Sequence, residues 1–459
     1  MQRVPVASAV AGYLRTAIGR NLVLVTNSGS VAIGSLTTAA LGFVYWWLAA
    51  RSFPPEAVGA ASALISMMGL MGHLGEVGLG TLLVGETLRH TGREHGLIVA
   101  ALLAALGASA AFGAISFVLA ESLLGPVGKV ADDSALAGPL FIGGCAITGF
   151  ALVLDQAFVG LLRSTLQMYR NGVFSLVKLL LLAATTFGIF ALSAETAILL
   201  TWVAGLAASI LVLGALACRK RVVIPRPPDF GLLSLLVPKV INHHLLNLAT
   251  QASGLILPLL VSVLLSPKVN AAFYPGWMIV NIALLVPAAL TTVLYTVGGA
   301  DPRTVAQRLM FSAGTSIVFA LATGIFLFLF SQVVLGVFNP VYPEIAGSSL
   351  QFLGFGVLGI AVKFHYIALV RLRNQMRKAT VYFALGGLLE LASAAAGSQV
   401  GGLQGLTLGW VAAVFIQAAL MLKPILDVGR GERNVADNGA QSSLRAIEIN
   451  PPRERARAP

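Results

Sequence analysis

The sequence predicts an all-α integral membrane protein of about twelve transmembrane helices, built as two six-helix bundles in a parallel repeat, with both termini cytoplasmic. Three observations carry this. The chain of 459 residues is 57% hydrophobic and only 10% charged, where a soluble domain carries roughly a quarter charged residues. Apolar runs near the ~20 residues that a helix needs to cross a bilayer recur along the whole chain. Basic residues then fall on one side of the runs so defined.

The runs place spans at about 27–50, 57–84, 96–120, 139–162, 172–193 and 196–217 in the first half. The second half gives about 242–265, 271–298, 309–331, 347–370, 380–397 and 403–422. Residues 1–26 form a cytoplasmic lead-in that lies on the membrane surface, with Arg3, Arg15 and Arg20. Arg15 interrupts any signal-peptide core, so none is expected to be cleaved. Residues 218–241 form a basic cytoplasmic linker and an interfacial helix. Residues 423–459 form a polar tail expected to be disordered. The runs are too long for barrel strands, which need only about ten residues.

With the N-terminus inside, 24 of the 30 basic residues fall on inner loops and ends. Only Arg51, Lys129 and Lys268 fall outside, and Lys178, Lys239 and Lys363 lie within or beside helices. This positive-inside bias accounts for the formal charge of +12 without nucleic acid. Tyr45, Trp46 and Trp47 read as an aromatic anchor at the outer interface.

The halves resemble each other. Arg163-Ser-Thr-Leu-Gln-Met-Tyr-Arg170 follows span 4 as Arg371-Leu-Arg-Asn-Gln-Met-Arg377 follows span 10. At the same offset Asp155 corresponds to Lys363, and Pro55-Glu56 resembles Pro267-Lys268. A parallel repeat about an axis along the membrane normal is a transporter architecture.

Charges inside a bilayer cost at least about 2.5–3.5 kcal/mol and so face a cavity or a partner. Glu76, Asp155, Lys178, Lys363 and Glu390 are of this kind, with His73 and His365 beside them. At ~1.5 Å per residue, Asp155 and Lys363 each lie about 12 Å from the inner-edge arginine that follows. All five share one depth band, which a water-filled inner cavity would explain. Asp155 and Lys178 could instead pair across one hairpin. Glu76, in a glycine-rich stretch, could be a helix–helix contact, and the two histidines could be packing residues. Glu390 is the candidate for a titratable coupling residue. Arg51 is either a snorkelling anchor or a contact to an anion leaving outward. Pro258 frees the carbonyl of Gly254, which marks a hinge, and Pro275 and Pro287 interrupt the next span. Gly401, Gly405 and Gly409 read as a close-packing seam.

Two cysteines, Cys145 and Cys218, make neither a disulfide framework nor a metal site. No phosphate-binding loop or zinc motif occurs, and no loop is large enough for an enzyme domain. No cofactor, metal or catalytic residue is expected, and transport is the reading that remains.

The stretch Asn27-Ser-Gly-Ser-Val31 leading into Gly42-Phe-Val-Tyr-Trp-Trp-Leu-Ala-Ala-Arg51-Ser-Phe-Pro-Pro-Glu-Ala-Val-Gly59, with Leu154-Asp-Gln-Ala-Phe-Val-Gly160 and Gln167-Met-Tyr-Arg-Asn171, resembles the bacterial polysaccharide transporters. These are the lipid-linked oligosaccharide flippases of the multidrug/oligosaccharidyl-lipid/polysaccharide (MOP) exporter superfamily. The resemblance spans roughly residues 25–425, and its specific patterns lie before residue 180. It implies a V-shaped alternating-access bundle in a bacterial inner membrane. That bundle would move polyprenyl-diphosphate-linked sugars outward and work beside glycosyltransferases or a polymerase. Lys363, Lys178 and Arg51 would be the contacts for the diphosphate. The mixed cavity charge departs from this pattern, and Tyr45 and Trp46 stand where the lipid II flippases carry charge. Two other functions stay open: a small-molecule or multidrug exporter coupled to protons or sodium through Glu76, Asp155 or Glu390, and a non-transporting scaffold of a glycan assembly complex.

Overall fold

The computed structural model describes residues 22–119, 136–187, 192–221, 226–300, 305–373 and 375–449. Among them the chain is helical with no strand. Most of the lead-in (1–21), the longest outer loop (120–135) and the last ten residues lie outside the described residues.

The first half contains α1 (Leu22–Ser52), α2 (Pro55–Gly75), α3 (Leu79–Glu86), α4 (Glu94–Val118), α5 (Ala137–Gly160), α6 (Ser164–Thr186) and α7 (Ala194–Arg219). The second contains α8 (Phe230–Leu264), α9 (Pro267–Ala300), α10 (Val305–Phe338), α11 (Tyr342–Leu353), α12 (Gly356–Leu372) and α13 (Met376–Ile449). Among the described residues, nine helices are long and apolar enough to cross a membrane, or ten if α11 and α12, bent by 41°, form one broken span. The helix α6 is less apolar because it carries Arg170, Asn171 and Lys178.

The helix α13 is two helices. Gly401 and Gly402 leave helical geometry, Gly402 with φ 54°, where only glycine is at ease. The chain folds back so closely that a Cβ on Gly405 would lie 2.1 Å from the Gly397 carbonyl, and one on Gly409 2.2 Å from that of Ser393. The expected glycine seam therefore consists of Gly405 and Gly409. Gly401 belongs to the turn and meets nothing within 4 Å. The second helix of the pair runs on past Lys423 to Ile449, into the stretch read as a disordered tail.

Two other spans differ from their expected bounds. The one expected at 57–84 breaks after Gly75, where Val77 and Gly78 take φ of 44° and 76°. Positive φ at a β-branched residue costs of order 1–3 kcal/mol, so the surroundings must hold it there. The interfacial stretch and the seventh span are one continuous 35-residue helix, α8, which continues through Pro238 and Pro258.

Pro55 and Pro267 start α2 and α9 at matching points of the two halves, where the missing N–H of proline costs nothing. These helices meet face to face. A Cβ on Gly59 would sit 1.7 Å from the Pro267 carbonyl, so only glycine permits this crossing. Asn270 Nδ2 donates to the Gly59 carbonyl at 2.9 Å and contacts Ser62 Oγ at 3.0 Å. Lys268 and Glu56 lie 3.7 Å apart.

The hydrophobic core records how the halves sit. At the end of the bundle near the α1–α2 and α8–α9 turns they share one core, which runs from Tyr45, Trp46 and Met68 to Val261, Phe338 and Trp410. Toward the other, basic end the cores are separate. One belongs to the first half, with Leu83, Leu97 and Phe158, and it also takes in Leu232 and Leu236 from the start of α8. Others belong to the second half, around Leu246 and Phe383 and around Leu309 and Leu369. The halves are joined at one end and diverge at the other.

Candidate functional site

The joined end is latched by groups from both halves. Arg51, at the end of α1, donates from Nε and Nη2 to the Val337 carbonyl at 3.0 and 2.8 Å, and from Nη2 to the Gly336 carbonyl at 3.2 Å. Trp47 Nε1 donates to the same Val337 carbonyl at 3.0 Å, and Asn339 Nδ2 returns a bond to the Ala50 carbonyl at 2.8 Å. The last carbonyls of a helix lack partners within it and carry the negative end of its dipole. A guanidinium from the other half supplies what α10 lacks. Arg51 is thus a clasp between halves in this conformation. The aromatic anchor also reads differently: Tyr45 and Trp46 are buried inside the bundle, and only Trp47 is exposed.

Below the latch lies a cavity of about 440 Å³. Its wall is formed mainly by α8, α9, α12 and α13, with Ser66 from α2. Of the five buried charges expected to share a cavity, Lys363 and Glu390 line it. Lys363 on α12 forms an ion pair with Glu390 Oε1 on α13. Ser253 Oγ of α8 donates to Glu390 Oε2 at 2.7 Å, and Gln417 Nε2 donates to Oε1 at 2.8 Å. Both charged side chains are at least nine-tenths buried. Such a pair needs further hydrogen bonds to offset its burial, and Ser253 and Gln417 supply them on the carboxylate. Around it stand Tyr274, Trp277, Trp410, Phe364 and Phe383, with Thr250, Gln251 and Asn281 as polar groups. Gly254 lines the same wall, with Trp277 3.5 Å from where its Cβ would be.

The other expected charges lie elsewhere. Asp155 accepts from Arg170 Nε at 2.5 Å and Nη2 at 2.6 Å, a bidentate pair between α5 and α6. Its expected partner, Lys178, is instead enclosed by rings. Its Nζ lies 3.7, 4.3 and 4.9 Å from the centroids of Trp202, Phe174 and Tyr45. Tyr45 is fixed in turn by its hydroxyl, which donates to the Ile198 carbonyl at 3.0 Å. Neither Asp155 nor Lys178 lines the cavity. His365 is also outside it, bonded to Ser312 Oγ at 2.8 Å and the Ala361 carbonyl at 2.7 Å.

Glu76 sits at the break between α2 and α3. Its Oε1 lies 4.0 Å from His73 Nδ1 and 3.9 Å from His244 Nδ1 of α8. Among the described residues no group of side chains is arranged to hold a metal ion.

Sequence reasoning missed several partners. Arg170, expected among the inner-loop basic residues, instead reaches Asp155 fifteen residues earlier, a hairpin's length away. Ser253 and Gln417 carry no signal that sets them apart from other polar residues in apolar helices. His244 lies near the inner edge of the expected seventh span, and nothing in the sequence pairs it with Glu76 across the halves.

No protein-family model matches the chain, and none of the curated proteins matches it in sequence. Solved structures do. An inward-facing multidrug resistance MATE family transporter of the MOP superfamily superposes with a TM-score of 0.66 at 14% identity, covering 87% of this chain and 99% of the other. An outward-facing one gives 0.62 at 14% identity, covering 89% and 96%. A MOP superfamily transporter from Pyrococcus furiosus, described as having a binding pocket of reverse polarity, gives 0.62 at 14% identity, covering 90% and 96%. At these identities the likeness establishes the fold, and that fold is MATE-like.

Proposed function

We propose that this chain is an alternating-access transporter that carries a polyprenyl-diphosphate-linked oligosaccharide, or a related surface-glycan precursor, to the outer leaflet of a bacterial cell membrane. The observation that carries the reading is the cavity wall. It presents one ammonium, Lys363, among tryptophan and tyrosine rings, amides and hydroxyls. An anionic head group suits the ammonium. Sugar rings suit a surface that mixes aromatic faces with Gln251, Asn281, Thr250 and Ser253. The halves separate toward the basic end and are latched at the other, which supports a chamber open toward the cytoplasm if positive charge marks that side. Proton or sodium coupling through Glu390 belongs to this proposal, as do glycosyltransferases or a polymerase of the same pathway.

The pairing of Lys363 with Glu390 sharpens the test. An anion must take Lys363 from Glu390, so Glu390→Gln should strengthen binding of a polyprenyl-diphosphate sugar and Lys363→Gln should abolish it. Purified protein in liposomes, with a fluorescent lipid-linked oligosaccharide scored for leaflet exchange, gives the direct measurement. Absence of exchange in the wild type would reject the reading. A second reading, export of a cationic drug against protons or sodium, is favoured by the Glu390 carboxylate standing on the same cavity wall. It reverses the signs: Glu390→Gln would lose binding and Lys363→Gln would keep it.

A further inference from the structure

We propose that Glu76, His73 and His244 form a proton-operated clasp between the two halves, which tightens the packing of α8 on the break between α2 and α3 as pH falls. The inference concerns the movement of the halves. It rests on the alternating-access reading but not on the identity of the cargo.

The break is built to receive α8. Val77 and Gly78 turn the chain through positive φ, and a Cβ on Gly78 would lie 2.8 Å from that of His244 and 3.4 Å from the Val240 carbonyl. The turn also carries Glu76 to the surface that faces α8. There its carboxylate is flanked by two imidazoles at distances of 3.9 and 4.0 Å. These spacings are too long for hydrogen bonds, which need about 2.7–3.2 Å. His244 is 5% exposed, and its Nδ1 has no hydrogen-bond partner. A buried nitrogen that misses a carboxylate by about an ångström is at rest when neutral. A proton on it turns a contact into a charge-assisted hydrogen bond, shorter and roughly twice as strong as a neutral one.

Position makes this contact consequential. His244 and Glu76 each lie about 20 residues, or roughly 30 Å, along their helices from the latched end. That is where the separate cores of the two halves begin. Tightening there acts on the opening that the latch leaves free. Among the described residues the other charges around α8 are placed elsewhere, and Lys239 on the same helix is exposed. On α8 itself His243 precedes His244, with Arg371 of α12 as its charged neighbour, and Arg371 also reaches Asn247. Asp229 at the start of α8 is taken by Arg93 of α4. Glu390 of α13 is held by Ser253, Gln417 and Lys363.

The native cysteines allow a direct test. Cys218 is exposed on the basic end of the first half, and Cys145 is buried. Adding Arg373→Cys on the basic end of the second half gives a pair for spin labels. Distances in detergent or nanodiscs would be read from pH 8 to pH 5, the range in which imidazoles titrate. The expected result is a shift to shorter distances on acidification, lost in His244→Gln and in Glu76→Gln, and weakened in His73→Gln. Each variant would be checked for monodispersity. No shift in the wild type, or the same shift in both His244→Gln and Glu76→Gln, overturns the proposal. Should either of these variants fail to fold, the other carries the same expectation alone.

Discussion

Lys363 on α12 and Glu390 on α13 form a buried ion pair in the second half, and Asp155, which corresponds to Lys363 in the repeat, pairs with Arg170 on α6 in the first. Each half ties its fourth span to its fifth with one buried pair, and the order of charge is reversed between them. Only the second pair faces the cavity. Asp155 and Lys363 thus hold equivalent positions with opposite charge, and of the two only Lys363 lines the cavity.

Removing one member of the Lys363–Glu390 pair strands the other. Lys363→Met is expected to lower stability in detergent by about 3–5 kcal/mol, the range for breaking a buried pair. The double variant Lys363→Met/Glu390→Gln should recover much of that loss without recovering transport. Thermal unfolding beside a liposome flux assay separates the two. Equal loss of stability in single and double variants would show that the pair is not coupled.

Lys178 makes the opposite case. Its ring contacts are worth up to about 2 kcal/mol each when dry, against several kcal/mol for keeping an ammonium out of water. Lys178→Met fills the same space without a charge. Thermal unfolding should show the variant as stable as the wild type or more so, with flux retained. Lost flux in a stable variant would make Lys178 a functional cation.

The latch depends on close approach. Gly59→Val should force the Pro267 turn away, since even a Cβ would fall 1.7 Å from its carbonyl. Ala50, now 1% exposed, replaced by cysteine should then react with a membrane-impermeant maleimide added on the side of the latched end. Arg51→Gln should give the same result more weakly. An unreactive Ala50→Cys in the Gly59→Val background would mean the end stays closed.

Asp229 predicts a pH effect at the edge of the membrane. The Leu232 N–H donates to it at 2.9 Å as the cap of α8, and Arg93 donates to it at 2.9 and 2.6 Å. The capping bond and then the guanidinium hold its carboxyl below the usual range, which for aspartate centres near ~3.9. A carboxyl depressed by folding contributes stability that is fully present above its unfolded value and lost as pH falls through the folded one. Docking of the α8 start on α4 should therefore weaken only in strong acid. In Asp229→Asn it should be weak at every pH, as limited proteolysis at Arg226 would report.

Much of this protein was legible in the sequence because the bilayer imposes a one-dimensional rule: a helix must be long and apolar enough, and its basic ends must lie on one side. The spans, the repeat marked by Pro55 and Pro267, and the set of buried charges all follow from that rule. The break inside the second span did not, because Val77 and Gly78 leave helical geometry through contacts and turns rather than composition. Partnership among the charges was the main thing left open. Depth along a helix gave Asp155, Lys178, Lys363 and Glu390 the same level, but azimuth decides whom each one meets. Only packed helices fix azimuth. The tertiary structure turned Asp155 to Arg170, closed Lys178 into a box of rings, committed Arg51 to the carbonyls of α10, and left Lys363 with Glu390 on the cavity wall.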